Sequence, residues 1–131
     1  MKAKFLLFAL CWLMLTHVNG QSSEANAIVK SIENGNAKEL ASYFLNTIDL
    51  TLIEQDDVYN KTQAEAMLIQ FFRRNVPESI KVEHTGTSRQ NDYYKIASLS
   101  TANGQYRVTF LLKKDGTDFK IKQLRIEPLN L

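Results

Sequence analysis

The sequence of 131 residues contains one cysteine, one tryptophan and two histidines. Cys11, Trp12 and His17 all lie near the N-terminus. A single cysteine permits no intrachain disulfide and no thiolate cluster, so stability must come from packing. His84 is the one histidine beyond residue 20, which excludes a histidine-rich metal centre. No G-x-S-x-G, phosphate-cradling glycine loop or H-E-x-x-H pattern occurs. No metal and no cofactor is expected.

The chain also lacks an apolar run long enough to span a bilayer as a stable helix. Phe5 to Leu15, preceded by Lys2 and Lys4, reads instead as the core of a secretory signal peptide, with Val18-Asn19-Gly20 before the cut. Residues 1–20 are therefore expected to be removed, leaving residues 21–131 as one exported domain, periplasmic or extracellular, with no stable membrane span. Lipidation at Cys11 would need small residues ahead of it, where Phe8-Ala9-Leu10 stands. Without Lys2 and Lys4 the 16 basic residues fall to fourteen, equal to the 14 acidic ones. A neutral mature chain gives no reason to expect a nucleic-acid partner.

What remains is patterned as helices first and strands afterwards, an α+β order. Ala25, Ile28, Val29 and Ile32 carry helical spacing over Ser23 to Asn34, with Gly35 placed for a left-handed cap. Asn36, with Glu39 three residues on, caps a second helix whose apolar face is Leu40, Tyr43 and Phe44. Ile48, Leu50 and Leu52 alternate with Asp49 and Thr51 as a half-buried strand. Glu54 to Asp57 reads as a polar connection before a short Val58-Tyr59 segment.

Asn60-Lys61-Thr62 is an N-x-T glycosylation acceptor, but Thr62 also stands three residues before Glu65. This T-x-x-E capping box starts a helix over Gln63 to Asn75 with Ala64, Met67, Leu68, Phe71 and Phe72 inward. Pro77 ends it. Ile80, Val82 and His84 share one face of the next strand, and Gly86 to Asp92 is a connection. Tyr93 to Thr101 and Gln105 to Lys114 form a hairpin about Asn103-Gly104. Asp115-Gly116 turns into a last strand, where Phe119 and Ile121 have one parity and Leu124 and Ile126 the other. A bulge near Lys122-Gln123 would reconcile them.

This order, with Val58-Tyr59 running into Lys61-Thr62-Gln63-Ala64-Glu65 and Phe71-Phe72, resembles the nuclear transport factor 2-like, or cystatin-like, superfamily over residues 24–128. More narrowly it is similar to an uncharacterised family of small secreted bacterial proteins, a domain of unknown function. The resemblance implies a cone: three helices packed on a curved antiparallel sheet, with a cavity at the open end. It implies no activity, because such folds host enzymes, binders and scaffolds alike. Relatives that are enzymes place an Asp, His, Tyr or Glu inside the cone.

The candidate cavity residues are Tyr43, Tyr59, His84, Tyr94 and Tyr106. His84, if inward, is either a base near neutral pH or a rim histidine bonded to a carbonyl. Each tyrosine either lines the cavity with its hydroxyl or finds one backbone partner in the core. Asp49 faces solvent. Arg73-Arg74, Lys113-Lys114, Lys120 and Lys122 form either a basic patch or a solvated face, and the neutral charge favours the latter.

The expected function is an exported domain with no catalytic residue that binds a small apolar ligand or a protein partner in or at its cone. The alternative is a lyase or isomerase of the ketosteroid-isomerase type, with His84 as base and a tyrosine hydroxyl polarising a carbonyl. It requires His84 and a tyrosine oxygen to converge on one cavity. The polar outward set Lys81, Glu83, Arg107 and Thr109 is compatible with a monomer or a weak homodimer.

Overall fold

A computed structural model describes residues 20–129. The expected leader, apart from Gly20, lies outside the described residues. None of the described helices is long and apolar enough to cross a membrane. The first helix, α1 (Gly20–Glu33), buries Ala25, Ile28 and Ile32. It ends at Gly35, whose φ of 63° is the left-handed geometry expected there. The Asn36 N–H reaches the Ser31 carbonyl at 2.8 Å and the Gly35 N–H reaches Ile32 at 3.0 Å, the paired bonds of a Schellman cap.

The short α2 (Ala37–Ser42) is capped as expected, the Glu39 N–H donating to Asn36 Oδ1 at 3.1 Å. It stops two residues earlier than its apolar spacing implies. Tyr43 is its C-cap, and Phe44 already belongs to β1 (Phe44–Leu52). The segment after it is not a polar connection: β2 (Gln55–Asn60) pairs antiparallel with β1, from Leu52 opposite Gln55 to Thr47 opposite Asn60. An edge strand needs no apolar alternation of its own when a neighbour supplies the pairing.

The next helix, α3 (Lys61–Arg74), starts two residues earlier than predicted and uses a different cap. Asn60 Oδ1 accepts the Gln63 N–H at 2.8 Å, and Gln63 Oε1 accepts the Asn60 N–H at 3.2 Å. The capping box is therefore N-x-x-Q rather than T-x-x-E, because β2 delivers Asn60 directly to the helix start. Ala64, Leu68, Phe71 and Phe72 are buried as expected, with Met67 half-buried.

Four strands follow: β3 (Pro77–Thr87), β4 (Tyr93–Thr101), β5 (Gly104–Asp115) and β6 (Asp118–Pro128). Among the described residues the strands form one sheet in the order β2-β1-β6-β5-β4-β3. It is not wholly antiparallel, since β1 runs parallel to β6, with Leu50 opposite Leu124. The two strands lie far apart in sequence, so no hairpin imposes opposite directions.

The bulge expected near Lys122 is present: Leu111 faces Gln123 and Leu112 faces Ile121, leaving Lys122 as the extra residue. Both parities of β6 thereby reach one core, in which Ile121, Leu124 and Ile126 are fully buried with Phe110, Leu50 and Leu68. Each such side chain stabilises the fold by about 1.5–3 kcal/mol. Gly86 lies inside β3 rather than in a turn. It faces Tyr94, and a Cβ added to it would sit 2.6 Å from the Tyr94 oxygen.

Because Asn60 supplies the cap, Asn60→Ala is expected to cost about 1 kcal/mol in a urea unfolding experiment, and Thr62→Ala almost nothing. The reverse order would overturn the assignment.

Candidate functional site

The five residues singled out in the sequence do not converge. His84 is exposed, and its inward placement fails for a specific reason. In the β3–β4 ladder Val82 faces Ala97 and His84 faces Ile96, so Glu83 is an unpaired extra residue and the side-chain parity inverts after it. His84 thus shares the outer face with Ile96 and Tyr94, its ring centroid 5.8 Å from that of Tyr94. Tyr94 is half-buried on that outer face over Gly86 rather than inside the fold.

Tyr43 and Tyr59 pack partly buried against the core, and the Tyr43 carbonyl accepts the Ile121 N–H at 2.7 Å. Tyr106 is 8% exposed and donates its hydroxyl to Asn75 Oδ1 at 2.7 Å. A tyrosine so engaged is a satisfied core residue. The arrangement needed by an isomerase, a histidine and a tyrosine oxygen aimed into one cavity, is therefore not built from these side chains. Among the described residues no group of three or more histidines, cysteines or carboxylates is placed to hold a metal ion.

A cleft of about 340 Å³ opens elsewhere, between the β1–β2 turn and the C-terminal half of α3. Leu52, Ile53, Met67 and Phe71 supply its apolar lining. Glu54 and Gln55 border it on the turn side, and Gln70, Arg74 and Asn75 on the helix side. None of the five tyrosine and histidine candidates lines it, although Tyr106 supports its floor through Asn75 and meets Phe71 edge-on at 5.2 Å. The polar floor is already satisfied, because Asn75 Nδ2 donates to the Phe71 carbonyl at 3.0 Å.

Ile53 is the anomaly of this cleft. It has φ of 60° and is 43% exposed. Positive φ is unusual for any residue with a Cβ and a clear outlier for a β-branched one. Leu52 pairs with Gln55, so Ile53 and Glu54 form a two-residue hairpin loop with positive φ at the first position, where glycine is the usual occupant. Leu52-Ile53 breaks the apolar alternation just before a polar run, and that break was the available sequence signal.

On the outer face, Asp49 lies near Asp56 and bonds Gln123 at 3.4 Å. Its pKa is raised above the ordinary 3.8, first by partial burial and then by the hydrogen bond and charge of Asp56, against the opposing pull of Arg125 and Gln123. A carboxyl with a raised folded pKa binds its proton more tightly when folded, so it disfavours the fold increasingly as pH rises through that value. Asp49→Asn is expected to stabilise the protein slightly at neutral pH and to lose this advantage on acidification below about pH 4. Melting temperatures across that range test it, and an Asn variant less stable at neutral pH would contradict it.

The family described as a domain of unknown function (DUF4783) matches residues 25–127. No curated protein matches the chain. A DUF4783 family protein from Bacteroides uniformis is 28% identical, with a TM-score of 0.75 over 81% of this chain and 97% of that one. A domain of unknown function with a cystatin-like fold from Nostoc punctiforme is 12% identical, with a TM-score of 0.68 over 88% of this chain and 81% of that one. A ketosteroid isomerase-like protein from Erwinia carotovora is 10% identical, with a TM-score of 0.67 over 84% of this chain and 94% of that one. At such identities the last two are similar in fold alone. Among the described residues, six strands in this order, three helices and a family match spanning nearly all of them make the chain a member of the DUF4783 family, with the nuclear transport factor 2-like, cystatin-like α+β fold.

Proposed function

We propose that the protein is an exported, non-catalytic domain that binds a small apolar molecule, or an apolar group of a protein partner, in the cleft between the β1–β2 turn and α3. In this reading the sheet curls around the helices as a cone and the cleft is its open end. The observation that carries it is Ile53: a strained, partly exposed isoleucine where glycine would fit, beside Leu52, Met67 and Phe71. Backbone strain persists where surrounding structure enforces it, commonly at sites of function. An apolar lining with a few polar groups at its edge is what a small-molecule site requires. The signal-peptide pattern of residues 1–20 supports export, and the near-neutral charge of the remainder supports the absence of a nucleic-acid partner. Lys81, Glu83 and Arg107 are exposed, which fits a monomer or a weak homodimer.

Ile53→Gly is expected to raise stability by about 1 kcal/mol by relieving strain and to weaken binding of a neutral apolar probe, N-phenylnaphthylamine, followed by its fluorescence. Unchanged probe affinity together with increased stability would remove the cleft from consideration. Export is tested by mass spectrometry of the processed protein, which is expected to begin at Gln21. A full-length cytoplasmic product would refute it.

A further inference from the structure

Resting on the cleft proposed above, we infer that its ligand is a small monocarboxylate: an apolar body in the cleft with one anionic head at Arg74. The ion pairs among the described residues are Lys30–Glu33, Lys122–Asp92 and Arg125–Glu127, and Arg74 takes part in none of them. Its backbone is nevertheless fixed, since the Asn103 side chain donates to the Arg74 carbonyl. A positive charge in the last turn of a helix is favourable by itself. Arg73 meets that need equally well, yet of the two only Arg74 lines this cleft. An exposed guanidinium at the edge of an apolar cleft, carried on an anchored stretch of backbone and without a carboxylate partner among the described residues, suits a planar two-oxygen anion.

The other polar groups narrow the choice. Asn75 is committed on both sides of its amide, to Tyr106 and to the Phe71 carbonyl, so the floor accepts carbon rather than a second polar group. Glu54, on the turn side, is the facing charge. It disfavours a ligand with two carboxylates, one of which would approach it. A volume of about 340 Å³ lies at the small end of the ~300–1,000 Å³ of small-molecule sites, which suits a ligand of the size of phenylbutyrate or decanoate.

The test titrates the protein with phenylbutyrate, phenylbutanol and phenylsuccinate, following backbone amides by NMR. Phenylbutyrate is expected to bind about fivefold more tightly than phenylbutanol, the scale of an exposed ion pair, with both shifting Ile53, Met67 and Phe71. Arg74→Gln should remove the preference while leaving the alcohol's affinity intact, and Arg74→Lys should retain most of it. Glu54→Gln should admit phenylsuccinate. Equal affinity for acid and alcohol in the wild type, or a preference that survives Arg74→Gln, overturns the carboxylate inference and leaves the apolar cleft standing. If neither the acid nor the alcohol perturbs those residues, both readings fall.

Discussion

One buried carboxamide at the end of α3 sets the geometry on which the cleft depends. Asn75 accepts the Tyr106 hydroxyl at 2.7 Å, donates through Nδ2 to the Phe71 carbonyl at 3.0 Å, and donates its own N–H to that carbonyl at 2.8 Å. Losing a partner here leaves a polar atom buried, at about 1–3 kcal/mol. The arrangement ends the helix, docks it on β5 and holds Phe71 edge-on to Tyr106. The following residue extends the clamp, because the Val76 carbonyl accepts the Ala102 N–H at 3.0 Å. The helix wall of the cleft is thus tied to the β4–β5 turn. The opposite wall is a two-residue loop anchored by the Ile53 N–H, which reaches the Ile126 carbonyl at 2.8 Å.

Among the register shifts of the sheet, the extra residues Glu83 in β3 and Lys122 in β6 each invert which side chains face the helices. They differ in how visible they are from sequence. In β6 the apolar residues change parity, from Phe119 and Ile121 to Leu124 and Ile126, and a common core demands a bulge between them. In β3 no apolar residue follows His84 to reveal a shift, because an edge strand with few buried positions tolerates either parity. The Lys122 bulge also has a consequence that charge patterning hides. Its ammonium meets the carboxylate of Asp92, which is 6% exposed, and donates to Gln90 at 3.0 Å. A lysine expected on a solvated face instead neutralises a buried charge and ties β6 to the loop before β4.

The elements with strong periodicity were legible. The span of β4 agrees at both ends, and four of the five residues expected on the inward face of α3 are buried, with Met67 only partly so. Boundaries failed where two local signals competed. Asn60-x-x-Gln63 and Thr62-x-x-Glu65 both satisfy the capping pattern, and only the preceding strand decides between them. Gln55-Asp56-Asp57 resembles a connection because its pairing with β1 is a property of the partner strand. The candidate site was less legible than the fold. Tyrosine and histidine carry groups able to act on a ligand, but residue chemistry says nothing about whether a hydroxyl is already bonded or a strand has slipped by one residue.

That distinction bears on where function lies in this fold. A group that acts on a ligand needs an unused valence or an exposed apolar face, and Tyr106, with its hydroxyl bound to Asn75, offers neither. Proteins of the same fold at 12% and 10% identity lend it no activity, since function resides in sites rather than in folds. Local anomalies are then the better guide. A glycine at position 53 would close the same hairpin without strain. Isoleucine there opposes folding, and what it adds is apolar surface at the mouth of a cleft whose polar floor is already satisfied. That combination supports the proposed recognition of carbon rather than chemistry on a polar centre.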